Sequence, residues 1–378
     1  MGDRPELGLW PLQPHTAAKH EILRRYLERW IPIVGRWDPR LAYVDCFAGP
    51  GRYRGGEPGS PIVALEIARK FIAAGLLPPE NLLFYAIEAN KKYYDHLRMR
   101  CDEYLALYPE LSAVTLKILH GRYDDKVGKV QADIQGRATR AIPTFYLIDP
   151  FGVKDLPFSL FSLLLKPRRN EILFNLMYEE TNRFLSRPEF EPHLDAMFGE
   201  EAWRSLRSAI GRDRKRLLVD YFKGRLVTAG ARYVQVFEMR NMSNASDYFL
   251  FFATKSSRGL EVMKEAMWAV DRSGQFAFSD YTYSLGPMLI DPTADYTILQ
   301  RQIKNRFDGQ RGVRVSDIKE FVLTETSFFR FKAEALKPMI SRGECYVESG
   351  DKPTRLDDDA TIGFVRRTGT PISLFDDT

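Results

Sequence analysis

The chain has 378 residues, and 44% of them are hydrophobic, which is enough for two or three domains with sizeable cores. A formal net charge of +5 is compatible with nucleic-acid binding, but the charges are mixed along the chain, as on an ordinary solvated surface. The N-terminus lacks a secretory signal pattern, and no apolar run reaches the roughly 20 residues of a membrane span. The composition therefore predicts a cytoplasmic protein that does not bind membranes.

The cysteines and histidines give no sign of a metal site. Cys46, Cys101 and Cys345 are widely separated and form no CxxC pair. The five histidines also lack the spacing of metal ligands. This pattern predicts buried free thiols in a reducing cytosol and no bound metal.

The first 180 residues alternate between helical and strand patterns. An amphipathic helix is predicted at 16–34, and Pro32 with Gly35 is expected to end it. Helices separate five apolar runs, which predict strands at 41–46, 82–87, 114–119, 144–148 and 171–176. Because these runs are continuously apolar, the strands should be buried on both faces. The alternation predicts an α/β fold with a doubly wound, Rossmann-like parallel sheet.

The sequence after residue 180 predicts two further strands of this sheet and a separate domain. Two strands at 233–239 and 248–254 would pair antiparallel and finish the sheet at one edge. Beyond residue 305, helices at 315–322 and 329–339 precede a hairpin, which is the winged-helix order. The predicted domains are an N-terminal helical segment (1–40), a Rossmann-like domain (41–180 and 230–300), a helical insertion (181–229) and a winged-helix-like domain (305–370).

A glycine turn follows the first predicted strand. The sequence there reads Asp45-Cys46-Phe47-Ala48-Gly49-Pro50-Gly51, and a helix follows from Ser60-Pro61. A strand, a glycine turn and a helix in this order let the backbone close on a nucleotide-like ligand, because a Cβ at either glycine would block its approach. The spacing is not G-x-G-x-x-G, since Arg52-Tyr53-Arg54 follows the second glycine. A pyrophosphate cradle is therefore less well supported.

Further acids are predicted at the same edge of the sheet, because the carboxyl ends of parallel strands meet there. Glu88 ends the second strand, Asp124 follows the third and Asp149 ends the fourth. Glu88 can accept hydrogen bonds from both ribose hydroxyls, and an acid before the glycines attracts an ammonium or sulfonium group rather than a phosphate. These features predict S-adenosylmethionine as the cofactor. The predicted cofactor-binding residues are Asp45, Phe47, Ala48, Gly49, Gly51, Glu88 and Asp124.

The acid after the fourth strand opens the rigid turn Asp149-Pro150-Phe151-Gly152. Exocyclic-amine methyltransferases carry an acid or amide, two prolines and an aromatic at this place. The acid and the following carbonyl accept hydrogen bonds from the amine, and the aromatic stacks on an extruded base. Here the second proline is missing and the aromatic comes third. The turn suggests an amino group as methyl acceptor, with Asp149, Pro150 and Phe151 as catalytic candidates.

Taken together, these motifs resemble the three-Cys-motif partner proteins, the TcmP family. The matching segments are 15–20 with its helix to Trp30, 45–53, 59–61, 145–152, 175–180 and 182–184. The resemblance covers nearly the whole chain and implies a class I methyltransferase-like fold. It also implies a partner encoded nearby, which carries the three-cysteine motif and resembles radical S-adenosylmethionine proteins. A joint role in nucleic-acid modification or DNA repair is implied as well.

The same family is distantly similar to ribosomal-RNA adenine-N6 methyltransferases, which carry a lysine in an N-terminal segment near the cofactor. Lys19 is the residue of this chain that would play that part. The alternative for Lys19 is an exposed helix residue without a role in catalysis.

Two functions stay open. The first is an enzyme that methylates a nucleic-acid amine, with basic residues and the winged helix holding phosphates. The second is an inactive methyltransferase-like module that recruits a partner to DNA, which the missing proline motivates. The candidate phosphate-binding residues, for which a solvated helical surface is the alternative, are Arg183, Arg187, Arg204, Arg207, Arg212, Arg214, Lys215 and Arg216.

Overall fold

The computed structural model describes residues 8–152, 154, 156–284, 295–349 and 356–366. They form two compact units. The first contains the described residues up to Asp271 together with 276–284, and the second contains 272–275, 295–349 and 356–366. Parts of the predicted domains at 285–294, 350–355 and 367–370 lie outside the described residues. No described helix is both long and apolar enough to cross a bilayer.

An eight-stranded sheet forms the centre of the first unit. Its strands are β1 (Leu41–Asp45), β2 (Leu82–Glu88), β3 (Thr115–His120), β4 (Thr144–Ile148), β5 (Asn170–Leu176), β6 (Tyr233–Arg240), β7 (Ser246–Thr254) and β8 (Ala277–Ser279). They lie in the order β3-β2-β1-β4-β5-β7-β6-β8. Strands β1 to β5 are parallel, and β7 is antiparallel to both of its neighbours. The sheet is Rossmann-like and mostly parallel, which is consistent with a methyltransferase fold.

The order of the sheet reverses at β1. This strand pairs in parallel with β2 on one side and β4 on the other, so Asp45 lies opposite both Ala86 and Leu147. A crevice outside the carboxyl ends of the strands is expected at such a reversal. All residues of β1, β2, β4 and β5 are buried, as the continuous apolar runs predict.

Helices cover both faces of the sheet. They are α1 (Pro14–Gly35), α2 (Ser60–Ala73), α3 (Lys91–Leu107), α4 (Tyr123–Gly136), α5 (Phe158–Leu165), α6 (Tyr178–Phe184), α7 (Glu191–Phe198), α8 (Gly211–Thr228), α9 (Ser257–Val270) and α10 (Asp280–Ser284). One apolar core lies between the sheet and α1, α2, α3 and α9, and the other between the sheet and α4, α5, α7 and α8. The predicted insertion is therefore part of the second core, in which Trp203 and Phe222 are fully buried.

The helix predicted at 16–34 is present as α1, which runs through Pro32 and ends at Gly35. Burial of Trp30 and Ile31 holds its last turn in place, so the packing outweighs the one hydrogen bond that the proline removes. Two other predictions are wrong. Strand β3 is only partly buried, because it lies at the edge of the sheet. The predicted antiparallel pair is present, but it does not finish the sheet, because the three residues of β8 add a further strand beside β6. A strand this short has too few residues for a visible pattern.

The second unit combines helices with a small sheet. Its elements are α11 (Tyr296–Phe307), β9 (Val313–Arg314), α12 (Val315–Glu325), a π-helical turn at Lys332–Leu336, α13 (Lys337–Ser341), β10 (Cys345–Ser349) and β11 (Thr361–Phe364). The three strands lie in the order β10-β11-β9 and pair antiparallel. Ile303, Ile318 and Met339 are fully buried, so this unit has its own core.

Candidate functional site

A cavity of about 150 Å³ opens at the carboxyl ends of β1, β4 and β5. The turn after β1, the start of α2, the turn after β4 and the N-terminal segment supply its walls. Eight of the predicted site residues line it, namely Lys19, Phe47, Ala48, Gly49, Gly51, Asp149, Pro150 and Phe151. Asp45, Glu88 and Asp124 do not line it. The predicted residues of the turns after β1 and β4 therefore meet at one cavity, as expected from the strand ends.

Lys19 and Asp149 form an ion pair in this cavity. The ammonium of Lys19 donates a hydrogen bond to Oδ2 of Asp149, and the two side chains are 8% and 22% exposed. Lys19 also lies over the ring of Tyr248, with 5.6 Å between Nζ and the ring centroid. The alternative of an exposed helix residue is thus wrong for Lys19, which α1 places beside the end of β4.

Asn175, at the end of β5, completes the arrangement. Its Nδ2 donates to Oδ1 of Asp149 at 2.8 Å, so both carboxylate oxygens of Asp149 have a partner. The Oδ1 of Asn175 is buried, and no donor reaches it within the described part of the chain. A buried acceptor without a donor costs free energy, of the order of 1–3 kcal/mol. Asn175 lines the cavity, so a ligand N–H group that reached this oxygen would satisfy it.

The charge of Asp149 is maintained by its neighbours. Burial by itself would raise the pKa of Asp149, but the Lys19 ammonium and the hydrogen bonds from Lys19 and Asn175 together lower it below its ordinary value. His20, the neighbour of Lys19 in the chain, has its pKa lowered to about 3 by burial and by the Lys19 charge. Asp149 is therefore ionised and His20 neutral at physiological pH.

The carboxylate of Glu88 binds the backbone of the glycine turn. Its Oε2 accepts from the backbone N–H of Gly49 at 2.8 Å, and its Oε1 accepts from that of Asn90 at 2.7 Å. Burial raises the pKa of Glu88, although these hydrogen bonds oppose the shift. Each carboxylate oxygen has a second lone pair, so the carboxylate can still accept from a ligand hydroxyl.

The two glycines of the turn have different surroundings. Gly49 has φ +63°, and a Cβ built on it meets no atom within 4 Å. Gly51 has φ +80°, but a Cβ there would lie 2.8 Å from Cδ1 of Leu97 on α3. The expected reason for both glycines, close approach of a ligand, therefore fits Gly49, whereas Gly51 allows the turn to pack on α3.

Asp45 is fully buried and acts within the turn. Its carboxylate accepts from the hydroxyl of Tyr43 at 3.1 Å and from the backbone N–H of Phe47 at 3.4 Å. Burial raises its pKa to about 7, and the charge of Asp149 adds to the rise. The expected direct attraction of a cationic ligand does not fit a side chain with no exposed surface.

We expect Asp45→Asn to stabilise the protein, and by about 2–3 kcal/mol more at pH 8 than at pH 5. The folded state binds the Asp45 proton more tightly than the unfolded chain, so the contribution of this group to the free energy of unfolding falls as pH rises from about 4 to about 7. Urea unfolding at both pH values measures the difference. Asp124→Asn serves as control, because the pKa of Asp124 is lowered by its bond from Arg122. An equal change at both pH values for Asp45→Asn would contradict the expectation.

Asp124 lies apart from the cavity. It is in the first turn of α4, and its carboxylate pairs with Arg122 at 2.9 Å. The neighbouring Tyr123 contacts the ring of Phe47 with 5.3 Å between the centroids. Tyr123 therefore links this end of α4 to the turn after β1, and the role of Asp124 in cofactor binding stays a prediction.

Aromatic side chains surround the mouth of the cavity. Phe151 is 73% exposed and meets Trp10 edge-on with 5.5 Å between the ring centroids. Trp10 meets Tyr93 in the same way at 5.4 Å. An exposed ring held by a neighbouring ring offers a flat surface to a planar ligand. This position supports the part expected for Phe151.

Sequence reasoning missed several lining residues, among them Trp10, His15, Tyr53, Asn175 and Tyr248. Asn175 ends a parallel strand, so the argument used for Glu88 and Asp149 could have found it. For His15 and Tyr53 the signal was their place in the segments that carry the resemblance, and Trp10 and Tyr248 had none. Packing with distant parts of the chain places these residues. His15, for example, pairs at 2.6 Å with Asp280, which is 265 positions further on.

Several of the candidate phosphate-binding residues already have partners within the first unit. Arg204 pairs with Glu191 and Asp195, and Arg207 pairs with Glu191. Lys215 pairs with Glu238 on β6, and the guanidinium of Arg214 donates to the carbonyl groups of Ala209 and Arg207. The alternative of a solvated helical surface therefore fits these residues better than a phosphate-binding surface does.

The cysteines have no sign of reactivity. All three are buried and free, and burial raises the pKa of the Cys101 thiol to about 12 and that of Cys345 to about 11. Burial also raises the pKa of Cys46, beside the glycine turn, well above its ordinary value. Among the described residues, no cluster of three His, Cys, Asp or Glu side chains could hold a metal ion.

No protein-family model matches this chain, and no curated protein matches it either. Solved structures of methyltransferases do resemble it. The methyltransferase domain of bacterial CtHen1 is 8% identical, with a TM-score of 0.30 over 62% of this chain and 100% of that one. The precorrin-6y C5,15-methyltransferase of Geobacter metallireducens is 12% identical, with a TM-score of 0.25 over 61% and 87%. The N-terminal domain of human METTL16 in complex with SAH is 8% identical, with a TM-score of 0.28 over 60% and 68%. Likenesses this distant do not identify an activity.

Proposed function

We propose that the chain binds S-adenosylmethionine at the carboxyl edge of its sheet and methylates an amino group of a nucleic-acid base. The observation that carries this proposal is a pair of hydrogen-bond acceptors on the protein, beside the glycine turn. There the ionised Asp149 and Asn175, whose buried Oδ1 has no donor within the described residues, line one cavity. Two hydrogen-bond acceptors at the end of adjacent strands suit an amine, which presents two N–H donors.

The turn after β1 fits the proposed cofactor. A side chain at Gly49 would enter open space, so the bare backbone forms a cradle there. Sites that enclose a whole small molecule usually measure about 300–1,000 Å³. The cavity of about 150 Å³ is smaller, so it would hold one end of the cofactor while the remainder extends along the turn towards Glu88. When bound, S-adenosylmethionine supplies an electrophilic methyl group.

The residues of the chain would bind and orient the acceptor. Asp149 accepts a hydrogen bond from the amine, and its lowered pKa keeps it an acceptor at neutral pH. Lys19 fixes the carboxylate from the opposite side, and Asn175 offers its free oxygen to the second N–H. Phe151 provides the stacking surface at the mouth. Positioning and electrostatics of this kind can provide much of the rate enhancement of a transfer reaction.

One observation favours the alternative of an inactive module. Both carboxylate oxygens of Asp149 already have a partner, so an incoming amine must use their remaining lone pairs. A site whose acid serves only to hold Lys19 and Asn175 would bind a ligand without transferring a methyl group.

Two measurements test the proposal in order. Isothermal titration with S-adenosylmethionine comes first, and an absence of binding would overturn it. Transfer of a radiolabelled methyl group is then measured on DNA, RNA and protein. We expect label in nucleic acid, lost by at least 100-fold in Asp149→Ala and Asn175→Ala but kept in Asp102→Ala, an exposed acid on α3. Binding without transfer would favour the inactive module, and label in protein would change the substrate class.

For the second unit we propose a winged-helix-like fold that docks a protein. Its order of helix, strand, two helices and hairpin supports that fold. Residues 295–366 contain 13 Lys and Arg against 12 Asp and Glu, and this balance favours a protein over the phosphates of nucleic acid. The three-Cys-motif protein is the partner that the resemblance suggests. Its co-purification with the full chain, but not with a chain lacking residues 295–378, tests this; salt-sensitive DNA binding lost with that segment would contradict it.

A further inference from the structure

A second, larger cavity lies away from the proposed methyl-transfer site. It measures about 330 Å³, and the second half of α1, the segment before and at the start of β5, and the start of α9 line it. None of its lining residues also lines the cavity at Asp149. The amino end of β5 and the carboxyl end of the antiparallel β7 meet here, so this is the opposite edge of the sheet. Its volume reaches the range of sites that enclose a small molecule.

A buried carboxylate belongs to this cavity. Glu171 is 5% exposed, and its oxygens accept from the hydroxyls of Tyr26 and Thr254. A Cβ at Gly259 would lie 2.3 Å from its Oε1, so the glycine makes room for the carboxylate. No Lys, Arg or His of the described segments pairs with it. Burial raises the pKa of Glu171, which leaves a group that can accept from a further donor or share a proton.

Cationic side chains stand around the same cavity, namely Arg168, Arg169, Lys255 and Arg258. Arg169 is paired with Asp38 at 2.6 Å and Arg258 with Glu261 at 3.0 Å. Lys255 donates to the carbonyl of Lys166 at 3.2 Å, and within the described residues neither Lys255 nor Arg168 has a carboxylate partner. These two cations are therefore the ones available to an anion, and the amino end of α9 adds partial positive charge beside them.

The wall formed by α1 and the turn after it is aromatic and apolar. Tyr26, Trp30 and Trp37 line it, and Val262 of α9 lines the other side. Trp37 is 81% exposed, so a large ring is held in water beside the cavity. A flat apolar group that packed against these rings would remove part of that surface from water.

We propose that this cavity is a second ligand site, which binds a small organic anion of the mononucleotide type. Its negative group would lie at Arg168 and Lys255, its flat body against Trp30 and Trp37, and a hydrogen-bond donor of that body at Glu171. Adenosine monophosphate has all three groups: a phosphate, a planar base and an exocyclic amine. The site is independent of methyl transfer, since it uses other residues at the other edge of the sheet.

Titration of the full chain with AMP, followed by tryptophan fluorescence and calorimetry, tests the proposal. We expect saturable binding that weakens at least ten-fold in the double variant Arg168→Gln/Lys255→Gln and at least ten-fold when adenosine replaces AMP. The fluorescence change should shrink in Trp37→Phe. Lys70→Gln, an exposed lysine of α2 paired with Glu28, is the matched control and should leave the affinity within two-fold.

AMP could also enter the proposed cofactor site, so Glu88→Ala is measured in parallel and should leave the affinity within two-fold. Loss of AMP binding in Glu88→Ala, but not in Arg168→Gln/Lys255→Gln, would overturn the proposal. So would an absence of AMP binding, or competition by equimolar inorganic phosphate, which would reveal a surface that binds any anion. S-adenosylmethionine binding is also measured in Arg168→Gln/Lys255→Gln. If that variant binds S-adenosylmethionine but the unchanged protein does not bind AMP, the second site fails while the proposed function stands.

Discussion

Lys19→Met is expected to lower the free energy of unfolding by about 3–5 kcal/mol, because it leaves a buried carboxylate without its cation. Lys19 and Asp149 are mostly shielded from water, and Lys19 is the cation that pairs with Asp149. Asp149→Asn should also destabilise the protein, since it leaves the ammonium of Lys19 without an anion. Urea unfolding monitored by circular dichroism at pH 7 measures both changes.

The double variant Lys19→Met/Asp149→Asn separates the pair from the individual side chains. With neither charge present, we expect it to be more stable than the sum of the single changes predicts, by at least 2 kcal/mol of coupling. The exposed pair Lys91 and Asp95 on α3 is the matched control, with an expected coupling of at most about 0.5 kcal/mol. Additive single changes at Lys19 and Asp149 would show that the ion pair does not hold the site together.

The parallel part of the fold could be predicted from the sequence because each strand carries its own signal. The runs at β1, β2, β4 and β5 are apolar throughout, and every residue in them is buried. Elements that depend on their neighbours were less predictable. The partial exposure of β3 follows from its place at the edge of the sheet, and β8 forms because β6 offers it an open edge.

The site residues also divide into those that the sequence could predict and those that it could not. The strand-end argument placed Asp149 and the glycine turn at one edge, because the topology of a parallel sheet determines where its carboxyl ends lie. It could not tell that Asp45 would be fully buried, since that depends on how Tyr43 and the start of α2 pack around it. The partnership of Lys19 with Asp149 joins residues 130 positions apart, and only the resemblance pointed to Lys19.

Gly51→Ala should be far more harmful to stability than Gly49→Ala, although both glycines have positive φ. At Gly51 the left-handed backbone costs about 1–2 kcal/mol with a Cβ, and the contact at 2.8 Å from Leu97 adds about 1–3 kcal/mol of overpacking. Leu97 is fully buried, so its side chain has little room to move. At Gly49 the backbone cost applies alone, because a Cβ there meets no atom within 4 Å.

Gly51→Ala should therefore have the larger effect on the free energy of unfolding, and Gly49→Ala the larger effect on cofactor affinity. Gly49→Ala places a methyl group in the cavity, and we expect it to weaken S-adenosylmethionine binding at least ten-fold while it keeps most of the stability. Gly51→Ala/Leu97→Ala provides the control, because removing the Leu97 side chain relieves the contact. That double variant should be less destabilised than the sum of its parts predicts. If Gly49→Ala bound the cofactor as well as the unchanged protein, the turn after β1 would not be the cradle, and the cofactor site would have to be sought elsewhere.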